Sequence, residues 1–171
     1  MSISPRGITN PKFAKNLWNF SGRDGVVEYW ISRKGKGRRQ SVSGEEAGFL
    51  RENFRFLDQL TGLSFVEQKS RSKADIRITS RKRIRNFDGL TVRRNGWFDV
   101  YWQNKSGGQI TDLEKWTIRH EIGHAIGLDH PFGNGANLKY NTDDTIMSYI
   151  WTGSTDYTSS DRAALTALWG G

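Results

Sequence analysis

The chain has 171 residues, with 26 Lys or Arg against 18 Asp or Glu, a formal charge of +8 and no cysteine. That length suits one domain with a packed interior, and 35% hydrophobic residues with 7 Trp and 9 Phe argue against disorder. The missing cysteine excludes disulfides, thiolate metal sites and a cysteine nucleophile.

Met1 to Arg6 lacks the apolar core of a signal peptide, and no apolar stretch is long enough to span a bilayer, so the expectation is a soluble chain without a membrane span; a monomer is expected as well. Residues 1–25, with Pro5 and Pro11 among several Asn and Ser, read as an irregular lead-in that packs through Phe13, Leu17, Trp18 and Phe20. Val26 to Ile31 reads as a strand, being β-branched and aromatic and followed by a glycine-rich basic turn. From Ser43 the period becomes helical. Ala47, Leu50, Phe54, Leu57 and Leu60 recur at helical spacing, and Ser43 with Glu46 fits a capping box, which predicts a helix from Gly44 to Leu60 ended by Gly62. Short strands are expected at Leu63 to Gln68, Asp75 to Thr79, Leu90 to Arg93 and Trp97 to Gln103, the last two separated by the turn signal Asn95-Gly96. Thr111 or Asp112 can cap a second helix that runs to about Ile126, with Glu114 well placed against its dipole and Gly127 as its stop. A final helix is expected from Ser160 to Leu168, capped by Ser159 or Ser160.

The positive charge is clustered in Arg33-Lys34-Gly35-Lys36-Gly37-Arg38-Arg39 and in Arg81-Lys82-Arg83-Ile84-Arg85. Such runs read as solvated loops or strand faces, with an acidic surface or polyanion as the alternative partner. Neither run has the interleaved aromatics of a base-stacking platform.

Residues 120–130 read H-E-x-x-H-x-x-G-x-x-H. His120 and His124 are four apart and so share one helix face, where two imidazoles can meet one ion. Glu121 lies one residue round, within reach of a metal-bound water. Gly127 can take a positive φ, which lets the chain leave the helix sharply and bring His130 back as a third ligand. Three neutral imidazoles leave one coordination position open, as in catalytic rather than structural zinc sites. All 3 histidines of the chain lie in this segment.

The motif, followed by Thr145-Ile146-Met147-Ser148-Tyr149, resembles the zinc helix and Met-turn of the metzincin metallopeptidases. Pro131 after the third histidine, and a tyrosine two residues after Met147, make the likeness strongest to serralysins, with a matrixin-like order of elements. The resemblance spans about Val26 to Gly170, and its ending, Asp161 to Gly170, is similar to the closing helix of those domains. It implies an α+β fold: a twisted, mostly parallel five-stranded sheet, a long helix, a zinc-binding active-site helix and a C-terminal helix after the Met-turn. It also implies one domain over 1–171, with a sheet-bearing half at 26–130 and a Met-turn half at 131–171. One Zn2+ is implied on His120, His124 and His130, with Tyr149 as an additional ligand that can swing to the reacting carbonyl and Met147 as the hydrophobic base beneath the imidazoles.

The activity so implied is hydrolysis of internal peptide bonds in a protein or peptide substrate, Glu121 serving as general base toward zinc-bound water, in an extracellular setting. The edge strand for the substrate is expected at Asn86 to Arg93, and the specificity pocket at Pro131 to Asp144 and the stretch after Tyr149. The chain departs from the family in having no recognisable propeptide and no glycine-aspartate calcium repeats. Asn134, Asn137, Asn141, Asp143 and Asp144 offer oxygen ligands for a structural Ca2+ but lack calcium-loop spacing and read as turn formers. Two other functions stay open: a binding module that uses zinc for structure and its basic surface for polyanions, and a hydrolase of peptidoglycan cross-links.

Overall fold

The computed structural model describes residues 2–35, 39–105, 107 and 109–170. Residues 36–38 of the first basic run lie outside these.

The first helix, α1 (Pro11–Phe20), lies where an irregular lead-in was expected. Its start signal is the pair that suggested irregularity: the Asn10 side chain accepts from the Phe13 amide at 3.2 Å, and Pro11 fills the first helical position, where a missing N–H is no loss. Strand β1 (Val26–Ile31) and the two-residue β2 (Arg39–Gln40) precede α2 (Gly44–Thr61). The Ser43–Glu46 capping box forms, Gly62 closes α2 in the left-handed region, and the apolar stripe Ala47, Leu50, Phe54 and Leu57 is buried. Each large member of that stripe contributes roughly 1.5–3 kcal/mol of burial. Strands β3 (Ser64–Glu67), β4 (Ile76–Arg81), β5 (Gly89–Arg93) and β6 (Phe98–Gln103) follow, then α3 (Asp112–Ala125) and α4 (Ser159–Trp169). Helix α4 is capped by Thr158 in a box with Asp161, one residue before Ser159 and two before Ser160, the expected caps.

The fold is α+β, with four helices and a mostly parallel sheet of five strands in the order β3-β1-β4-β6-β5, to which β2 adds a short antiparallel pairing on β4. Strands β3, β1, β4 and β6 run parallel, while β5 pairs antiparallel with β6 and forms an edge. Side chains opposite one another across strands share a face. One such row runs Ile31, Ile78, Val100, Thr91 and the next runs Tyr29, Ile76, Phe98, Arg93. The first three members of each row are buried in the core with residues of α2 and α3, so this face of β5 carries Thr91 toward α3.

The N-terminal residues close over the end of α3. The amide of Asn10 donates to the Gly127 carbonyl at 2.7 Å, and that of Asp129 to the Ile8 carbonyl at 2.8 Å. No helix among the described residues is long and apolar enough to cross a membrane.

Candidate metal centre and adjoining cleft

Helix α3 begins at a capping box in which Thr111 and Glu114 exchange hydrogen bonds, which fixes its rotation from the first turn. Two turns later His120 and His124 emerge on one face. Gly127, at φ 101, ends the helix and turns the chain; a Cβ there would meet the Ala14 Cβ at 2.9 Å, so both the backbone angle and the close packing require glycine. The turn brings His130 back onto the helix.

The three imidazoles converge. Nε2 of His130 lies 3.2 Å from Nε2 of His124 and 3.3 Å from Nε2 of His120. His120 Nδ1 faces the Ile146 carbonyl at 2.8 Å and His124 Nδ1 faces the Leu128 carbonyl at 3.2 Å. A carbonyl only accepts, so both rings carry their proton on Nδ1 and turn a bare Nε2 lone pair inward. Ligands about 2.05 Å from a tetrahedral ion stand about 3.3 Å apart, the separation seen here. With His130 in the same tautomer, one cation could accept all three lone pairs. The group His120, His124 and His130 can therefore hold a metal ion, and it is the one such cluster of His, Asp or Glu among the described residues. Burial, reinforced by the neighbouring imidazoles, holds His120 and His124 well below the ordinary histidine pKa, and burial lowers His130 as well, so all three are neutral and available as ligands at neutral pH.

Met147 is fully buried, and a Cβ built on Gly123, between the first two histidines, would lie 3.0 Å from its sulfur. The methionine thus packs against the ligand-bearing turn of α3. The segment that carries it is pinned from α4. The Asp161 carboxylate accepts from Thr145 Oγ1 at 2.5 Å and from the Ile146 amide at 3.0 Å. The Ile146 carbonyl in turn accepts from His120 and, at 2.9 Å, from Trp116 Nε1. Tyr149 is half-exposed, its ring centred 4.6 Å from that of His130 and 5.5 Å from that of His120.

Glu121 is nearly enclosed, and burial pushes its carboxyl up to about 7 against the opposing hydrogen bonds of Thr91. Thr91 Oγ1 lies 2.8 Å from Glu121 Oε2 and 2.7 Å from the Glu121 carbonyl, so the edge strand grips the glutamate at both side chain and backbone. Two positions further back on the same face, a Cβ on Gly89 would come within 2.7 Å of Glu121 Oε1. Both lie in the stretch 86–93 expected as the substrate's edge strand, but their contacts with Glu121 were not expected from sequence.

Beside the imidazoles lies a cleft of about 470 Å3. One wall is Asn86, Phe87, Asp88 and Gly89; the other is Leu113, Trp116, Thr117 and Glu121 of α3; Tyr149 and Trp151 close the end. The expected contribution of the stretch after Tyr149 is present in Trp151, whereas residues 131–144 do not line the cleft. That loop instead backs Tyr149: the Gly135 carbonyl accepts from the Tyr149 amide at 2.7 Å, and a Cβ on Gly135 would meet the tyrosine ring at 2.7 Å. Its polar residues form turns, Asn134, Asn137 and Asn141 each accepting from the backbone amide two residues on.

A scan against protein-family models and a search of curated proteins found no match to this chain.

Proposed function

We propose that the chain is a zinc-dependent endopeptidase of the metzincin type, closest to the serralysin and matrixin-like catalytic domains. The single observation that carries the proposal is the conjunction of three converging Nε2 atoms at tetrahedral spacing with a buried, strand-held glutamate beside an apolar cleft. The sheet order, with an antiparallel edge strand β5 in front of the histidine helix, supports a metzincin fold.

Zinc bound to His120, His124 and His130 would supply Lewis-acid polarisation of the scissile carbonyl and an acidified water. The chain's own residues do the rest. Glu121 Oε2 is occupied by Thr91, which leaves Oε1 to take the proton of the attacking water and to return it to the leaving amine. The carboxyl near neutrality suits both halves of that exchange. Tyr149, standing against His120 and His130, supplies a phenol to the developing oxyanion. The substrate lies extended along the free edge of β5, pairing with its backbone, and drops one large side chain between Trp116 and Phe87.

Chelator-sensitive cleavage of quenched peptides tests this reading, together with Glu121→Gln. That variant should keep stoichiometric zinc and lose at least about 100-fold in turnover. Undiminished turnover in the zinc-loaded variant would remove Glu121 from the chemistry, and zinc binding without any cleavage by the unaltered chain would favour a binding module.

A further inference from the structure

The second basic run lies beside the cleft rather than on a remote surface. Strand β4 ends at Arg81, whose guanidinium stacks 4.0 Å over the Tyr101 ring. Lys82, Arg83 and Arg85 then follow in the connection to β5, all exposed and all without a carboxylate partner among the described residues. The connection is tied down where the Ile84 amide donates to Gln103 Oε1 at 3.1 Å, turns at Asn86 with φ 66, and becomes the cleft wall at Asn86, Phe87 and Asp88. Arg85 is therefore one residue from the wall. The wall's own carboxylate, Asp88, is already taken by Lys105 at 2.5 Å.

A further cation stands at the far end of the edge strand. Arg93 shares its row with Tyr29, Ile76 and Phe98, on the face of β5 that carries Thr91 to Glu121. It too is exposed and unpaired among the described residues. From Gly89 to Arg93 the strand advances about 14 Å, at about 3.4 Å per residue, the span of four extended residues of a bound peptide. Free cations thus bracket the reacting position on both sides.

We infer that the cleft selects acidic peptides, in which Asp or Glu flank a large apolar residue: the apolar side chain enters between Trp116 and Phe87, and the carboxylates meet Lys82, Arg83 and Arg85 at one end and Arg93 at the other. This rests on the peptidase reading for the position of the substrate along β5. A peptide fits better than a nucleic acid because the outer edge of β5 offers backbone donors and acceptors at the repeat of an extended polypeptide, and arginine pairs carboxylates in a fixed bidentate geometry.

The experiment uses the zinc-loaded full chain and two labelled peptides of equal length with the same apolar centre, one flanked by Glu and one by Gln. Binding is read by fluorescence anisotropy with Glu121→Gln, and cleavage with the unaltered chain. The Glu peptide should bind about tenfold more tightly at low salt, and that preference should vanish near about 1 M salt, where the Debye length is about 3 Å. Arg83→Gln with Arg85→Gln should abolish most of the preference while leaving Gln-peptide binding and the thermal midpoint unchanged. Arg93→Gln, on a separate element, should weaken it independently. Equal binding of the two peptides at low salt, a preference that survives all three substitutions, or equally tight binding of a single-stranded oligonucleotide of matched charge would overturn the inference. Failure of the peptidase reading shows differently: the Glu peptide would be bound preferentially, and neither peptide would be cut.

Discussion

Gly89→Ala tests how closely the edge strand and the proposed general base, Glu121, are fitted. The added methyl carbon would stand 2.6 Å from Glu121 Cγ, 2.6 Å from Thr117 Cγ2 and 2.7 Å from Glu121 Oε1. Carbon atoms rest at about 3.5–4.0 Å, so a neighbour has to retreat by about 1 Å. Thr117 is held by its hydroxyl bond to the Leu113 carbonyl at 2.8 Å, which leaves the Glu121 side chain as the part that moves. A 1 Å misplacement of a catalytic group lowers turnover by about 100-fold. The fold itself loses about 1–3 kcal/mol from overpacking, which at about 2–4 °C per kcal/mol for a chain of this size lowers the thermal midpoint by about 2–12 °C. The atoms that the new methyl presses on belong to Glu121 and Thr117 rather than to a histidine, so zinc content should stay stoichiometric. Turnover on a quenched peptide, bound zinc by elemental analysis and a thermal melt, all on one preparation, give the three readouts. Wild-type turnover in a folded, zinc-loaded Gly89→Ala protein would refute the placement of Glu121 as the base.

Thr91→Val keeps the side-chain shape and removes the hydroxyl that holds Glu121; kcat should fall about 10- to 100-fold with little change in KM, and Thr91→Ser should restore most of it. Gly127→Ala should lower stability by about 2 kcal/mol or more in a urea titration, because φ 101 suits only glycine and the Cβ would press on Ala14 and Leu168; a stability equal to that of the unaltered chain would contradict the packing. Burial, and then the nearby Glu28 carboxylate, raises the Asp75 carboxyl from 3.8 to about 6. The folded chain then holds this proton more tightly than the unfolded chain does. The associated stability is complete below about pH 4 and is lost as pH rises through about 6. Asp75→Asn does not titrate, so its thermal midpoint relative to the unaltered chain should climb between those two pH values; a constant difference would show that Asp75 is not perturbed.

Local signals were legible in the sequence, and long-range ones were not. The boxes at Ser43–Glu46 and Thr111–Glu114 form as read because a cap involves residues only three apart. The histidine motif is likewise local, and its three rings meet as the spacing requires. Helix α1 escaped notice although Phe13, Ala14, Leu17 and Phe20 recur at helical spacing and pack inward, because Pro5, Pro11 and the Asn and Ser around them look like breakers, whereas Asn10 and Pro11 are its start signal. The grip of Thr91 on Glu121 depends on the register of β5 against β6 and on the docking of α3 over both, and no residue in either segment announces it. The cleft was legible in part: the stretch 86–93 and the residues after Tyr149 were expected beside the site and line it through residues 86–89 and Trp151, whereas the loop after His130 turns back to support Tyr149, a long-range contact that no local signal marks.

The carbonyl of Ile146 couples the histidine helix to α4. It receives both Trp116 and His120, and its peptide is held in place by Asp161 near the other end of the chain. A nascent chain that has emerged as far as His130 already presents every imidazole and the glutamate. It still lacks the acceptor that sets the His120 tautomer, and the acidic anchor that steadies that acceptor. The orientation of His120 in the cluster therefore depends on a carboxylate 41 residues further along the chain, through a peptide that belongs to neither helix.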